Sequence, residues 1–127
     1  MKLKSDPRHI ARVAAVKSLF ATSFQSSRQV KKSLLARQAL TNRTKIDRLL
    51  KKYAPAWPIG QIAPIDLAIL RLAIYELLFK TEKEPYKVVI DEAIEVAKEF
   101  GSARSASFIN GVLGSIIKSE VESQDDS

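Results

Sequence analysis

Residues 105–116 read "SASFINGVLGSI", and how they fold decides the class of the whole chain. Asn110-Gly111 is the strongest short-range signal for a two-residue β-hairpin turn. A hairpin also needs strict apolar alternation on both sides of the turn, and neither "SFI" nor "VLG" supplies it. Ile109, Val112, Leu113 and Ile116 instead recur at i, i+3, i+4 and i+7, the period of one helix face. The stretch is therefore predicted to be a helix that tolerates two glycines, each costing about 1 kcal/mol relative to alanine. Ser107, Gly111, Gly114 and Lys118 share a second face with Asn110 at its edge. Small residues there allow close backbone approach, either to a neighbouring helix or to a ligand.

The same period runs through the rest of the chain. In "SDPRHIARVAAVKSLFATSF", Asp6 is placed to cap and Pro7 suits the first helical position. Val13, Val16, Phe20 and Phe24 form its expected buried stripe, and Arg8 and Arg12 project together near its start. Cations there oppose the helix dipole, which suggests a binding role. Residues 28–53 read as one long helix, because Leu35, Ala39, Ile46, Leu49 and Tyr53 hold one register through Thr41-Asn42, with two helices as the alternative. "APAWPIGQIAP", 54–64, is a proline-rich connector whose Trp57 is expected to plug the junction between two helical halves.

Residues 65–79 are apolar nearly all round, as expected of a central helix, and Arg71 and Glu76 within it need ion-pair partners. Residues 85–100 start at Pro85 and stop at Gly101, with Val89, Ala93, Val96, Ala97 and Phe100 as core stripe. The fold expected is all-α: two small bundles packed side by side in one domain, residues 1–53 and 65–120, with 121–127 an acidic flexible tail.

The chain has 127 residues, enough for one cored domain, and a net charge of +7. The charge is segregated. Residues 1–53 hold 14 Lys+Arg and 2 Asp+Glu, or +12; residues 54–127 hold 7 and 12, or −5. Such a split points to a polyanion as partner of the first half and a basic protein as partner of the second. With no cysteine and one histidine, His9, neither a thiolate nor an imidazole metal site is expected, and no cofactor. No catalytic constellation is present either: the acidic pair Asp91 and Glu95 reads as solvated charge, and the chain is not expected to be an enzyme. No apolar run is long enough for a membrane span and "MKLKSDPRHIARV" lacks a signal core, so a cytoplasmic protein with no membrane association is expected.

Taken in order, "RHIARVAAVKSLF", "IDRLLKKYAPAW", "ILRLAIYELLF", "PYKVVIDEAIEVAKEFG" and "FINGVLGSI" resemble the NusB family of bacterial transcription antitermination factors, over roughly 100 residues. The resemblance implies binding, without catalysis, of the boxA element of ribosomal RNA transcripts together with NusE, a small-subunit ribosomal protein. It further implies action on the RNA polymerase elongation complex to aid read-through and rRNA maturation. It assigns Arg8 and Arg12 to the RNA backbone, Phe108 to stacking and Asn110 to a base edge. Phe20 and Asp66 fall to the NusE-facing surface.

Three departures stand out. The segment between "SLFATSF" and "QVKKSLL" is nearly absent, which reduces the first bundle. Gln61 stands where arginine is common, and Arg104 where the family has acidic or neutral residues, adding a cation beside Phe108. Other readings are an excised NusB-like RNA-binding domain of an rRNA methyltransferase and a non-catalytic helical adaptor. Some members self-associate, and the small face of residues 107–114 would suit a homodimer.

Overall fold

A computed structural model describes residues 6–25 and 29–122. Lys2, Lys4, Arg28 and residues 123–127 of the expected acidic tail lie outside them. Helices account for the regular structure, with no strand among the described residues. They are α1 (Pro7–Ala21), α2 (Leu34–Thr41), α3 (Arg43–Tyr53), α4 (Pro64–Ile74), α5 (Tyr86–Phe100) and α6 (Ser105–Ile116). "SASFINGVLGSI" is thus helical throughout, and Ile109, Val112, Leu113 and Ile116 are all buried.

Local chemistry sets the ends. The Asp6 carboxylate accepts the Arg8 backbone N–H at 2.8 Å, with Pro7 behind it in the first turn. Ser33 Oγ accepts the Ala36 N–H at 3.1 Å and starts α2. Residues 34–53 are two helices, not one, because Asn42 leaves helical geometry at φ −100°, ψ 12°. Its side-chain amide donates to the Gln38 carbonyl at 2.9 Å, an alternative to continuing the helix. A one-residue joint leaves the apolar register nearly undisturbed: Ala39 and Ile46 are both buried across it.

Two bundles, α1–α3 and α4–α6, share one continuous hydrophobic core. Helix α4 is its axis, with Asp66 through Ile74 all buried, and it continues as a π-helical turn, Tyr75–Phe79, closed by Lys80 N–H on the Tyr75 carbonyl at 2.9 Å. Arg71 finds its partner in Asp47 of α3, donating from Nε and Nη2 at 3.0 Å each. After α6 the helical backbone runs on through Val121. No described helix is long and apolar enough to cross a membrane.

Four aromatic residues depart from expectation. Phe20, in the expected buried stripe of α1, is exposed. Phe24 lies past the end of α1 and is exposed; Phe100, at the last position of α5, is exposed under Lys17; and Trp57 is 53 % exposed. The two bundles meet through α4 and need no plug.

Candidate nucleic-acid interface

The residues expected to bind RNA fall into three different environments. Arg12 is the clearest correction. Its side chain is 4 % exposed, and its guanidinium is consumed by carboxylates of the other bundle. Nε donates to both Glu76 oxygens at 3.1 and 2.9 Å, Nη1 to Glu92 at 3.2 Å and Nη2 to Glu84 at 2.7 Å. Burial alone would lower the Arg12 pKa, but the hydrogen bonds and charges of Glu76 and Glu84 outweigh it and hold the group further into its protonated range. Burial pulls the Glu84 carboxyl upward, and the Arg12 hydrogen bond overrides that, leaving it below the ordinary carboxylate value. His9 Nδ1 meets the other Glu92 oxygen at 2.8 Å. Arg12 therefore fastens α1 to α4 and α5, and part of the acidity of the second half serves this internal pairing.

Arg8, four residues earlier, projects outward with its side chain 75 % exposed and only a loose 3.9 Å approach to Glu84. It sits near the start of α5. Arg104 follows the end of that 15-residue helix, about 22 Å away along its axis. The two cations are separate stations on the surface.

Arg104 and Phe108 open onto a cleft of about 200 Å³ that no pattern in the sequence assembles. Its wall includes Trp57, Gln61, Ile62 and Asp66. Trp57 and Phe108 meet edge to face, ring centres 6.3 Å apart at 79°. The connector turns at residues 54–57, Trp57 N–H donating to the Ala54 carbonyl at 3.1 Å, and leaves its tryptophan at the surface. Asp66, in the first turn of α4, is 7 % exposed and lines the floor; its Oδ1 is buried with no hydrogen-bond partner among the described residues. Trp57 is the residue that sequence reasoning missed. A lone tryptophan between prolines, with Arg104 and Phe108 elsewhere in the chain, carries no signal until α6 packs near the connector.

Asn110 is exposed on α6 and does not line the cleft. Beside it, a methyl group added at Gly111 or Gly114 would meet nothing within 4 Å, so the small face is not filled by any described helix of this chain. Phe20 is partly exposed and stacks edge-on with Phe24, centroids 5.0 Å apart, at the far end of α1. A second cleft, about 420 Å³, carries Lys45, Arg48, Lys52 and Lys83 around Leu49, Leu78 and Phe79. Much of the basic half therefore faces solvent. Among the described residues no cluster of histidine and carboxylates is arranged to hold a metal ion.

The family model described as the NusB family matches residues 23–118. The chain belongs to the NusB family. Among curated relatives, the transcription antitermination protein NusB of Chloroflexus aggregans is 49 % identical over 77 residues, covering 60 % of this chain and 51 % of the relative. That of Alkaliphilus oremlandii is 37 % identical over 102 residues, covering 80 % and 73 %. The chain spans about half the length of the first of these. Among solved structures, T. maritima NusB superimposes with a TM-score of 0.80 at 32 % identity, each chain covered in full. A complex of the antitermination factors NusB and NusE with double-stranded RNA gives 0.73 at 22 % identity, covering 87 % of this chain and 96 % of the other, and supports the NusB fold.

Proposed function

We propose that this NusB-family chain is a transcription antitermination factor that binds the boxA element of ribosomal RNA transcripts together with NusE. In this reading it acts in the cytoplasm on the RNA polymerase elongation complex, aiding read-through and rRNA maturation. The observation that carries the reading is the cleft in which exposed Trp57, half-buried Phe108 and exposed Arg104 come together. Aromatic faces beside a cation are the chemistry that holds single-stranded RNA. Arg8 adds a second phosphate contact, Asn110 a donor and an acceptor beyond the cleft. The NusB–NusE–RNA complex among the structural relatives supports both partners. Phe20 with Phe24 forms an apolar patch suited to the protein partner. Asp66, expected on that same side, opens into the RNA cleft.

The test is binding to a boxA-containing RNA and to a scrambled RNA of equal length, alone and with NusE, across a salt series. Preference for boxA that strengthens with NusE is the expected result. Arg8→Ala and Arg104→Ala should each reduce the salt slope by about one. Equal binding to both RNAs, unmoved by NusE, would favour the helical adaptor instead. The unfilled face at Gly111 and Gly114 supports a second state, a homodimer through α6. Sedimentation of the wild type across concentration decides whether it forms.

A further inference from the structure

The floor of the Trp57–Phe108 cleft holds an unusual group for an RNA surface. Asp66 is more than nine-tenths buried, lines the cleft, and leaves Oδ1 without a hydrogen bond among the described residues. A buried acceptor left unmatched is costly, and it stays in place where a ligand completes it. Resting on the RNA reading above, we propose that the cleft is a subsite for one guanine base of single-stranded RNA. Trp57 and Phe108 hold the ring, the Asp66 carboxylate accepts from its Watson–Crick edge, and Arg104 takes an adjoining phosphate.

The choice of base follows from donor geometry. An ionised carboxylate offers acceptors only. Guanine alone presents two adjacent donors on its Watson–Crick edge, N1–H and the N2 amino group, so it turns no lone pair toward the carboxylate at that end. Adenine and cytosine each set a ring-nitrogen acceptor beside their amino donor, and uracil flanks its single N–H with two carbonyls; each turns lone pairs toward Asp66. The dimensions agree. At about 200 Å³ the cleft is below the roughly 300–1,000 Å³ of drug-sized ligand sites, and it suits one flat ring. A cationic side chain from a protein is the competing occupant. Arg104 on the same wall disfavours it by like-charge repulsion while attracting phosphate.

Trp57 is the only tryptophan of the chain, so its fluorescence reports occupancy of the cleft directly. The experiment titrates the full chain with a short oligouridine carrying one central guanine, and with the same oligomer carrying adenine or inosine there. Guanine is expected to bind about tenfold more tightly than adenine, within the usual discrimination of a matched base edge. Inosine, which keeps N1–H and lacks the N2 amino group, should fall between them. Asp66→Leu should level guanine with adenine. The base analogues need no altered protein, so the result does not depend on how that variant folds. Equal affinity for all three oligomers would overturn the subsite and leave the RNA reading standing; absence of binding to any RNA would overturn both. Quenching by an arginine-rich peptide that requires Asp66, with guanine without effect, would overturn the subsite and assign the cleft to a protein.

Discussion

Replacing Arg12 with leucine separates a structural role from an RNA contact. In the folded chain the change deletes four hydrogen bonds and leaves Glu76, Glu84 and Glu92 facing an apolar side chain. Removing one partner of a buried ion pair costs about 3–5 kcal/mol, because the remaining charge stays desolvated. Two neighbours soften the loss here: Lys80 lies 3.8 Å from Glu76, and His9 remains on Glu92. Glu84 is also partly exposed and can recover water. The lower end of the range, about 3 kcal/mol, is therefore expected, a large part of the 5–15 kcal/mol typical of a domain. For a chain of this length it corresponds to a fall in Tm of roughly 10 °C, measured by circular dichroism at neutral pH. Arg12→Lys should lose less, since it keeps the charge and gives up the planar fork. A change below about 1 kcal/mol, together with weakened RNA binding, would refute this reasoning and return Arg12 to the RNA surface.

Acid should act through the same cluster. Glu84 titrates below its ordinary value of 4.5 when folded, so the unfolded chain binds its proton more readily. Its contribution is complete above about pH 4.5 and is lost as pH falls through the lower folded value; urea melts between neutral and acid pH should lose part of this slope in Glu84→Gln. Gly111→Ala and Gly114→Ala should each stabilise the monomer by about 0.5–1 kcal/mol, as both glycines are helical with open space around them, and should weaken any dimer through α6. Gly101→Ala should do the reverse, lowering stability by about 1–3 kcal/mol in the same melts, because its methyl would overlap Ser105 and the Ala97 carbonyl.

Much of this molecule is legible in its amino-acid order, and the misses have physical causes. The helical period of Ile109–Ile116 outweighs Asn110-Gly111 because four buried side chains constrain the backbone more than one dipeptide does. Arg71 is equally readable: a charge in a continuous apolar helix needs a partner, and Asp47 supplies it. The break at Asn42 is hidden because a single-residue joint preserves the apolar register on both sides. Phe24 fits a helical stripe in sequence, but the helix ends at Ala21 before reaching it. Arg8 and Arg12 look alike on paper, four residues apart on one face. What distinguishes them is three carboxylates that only the tertiary fold brings within reach of Arg12. The cleft follows the same pattern: Trp57, Asp66 and Phe108 come from three elements and become one site only when packed.

The pairing of Arg12 also orders events in time. Its acceptors lie 64 to 80 residues further along the chain, at Glu76, Glu84 and Glu92. Contacts of such long sequence separation close large loops and form late, after local helices have had time to appear. On the ribosome, where a chain emerges from its N-terminus, α1 has no complete seat until α5 has been made. A helix made early is then locked late, and its arginine must wait for carboxylates that have yet to be translated.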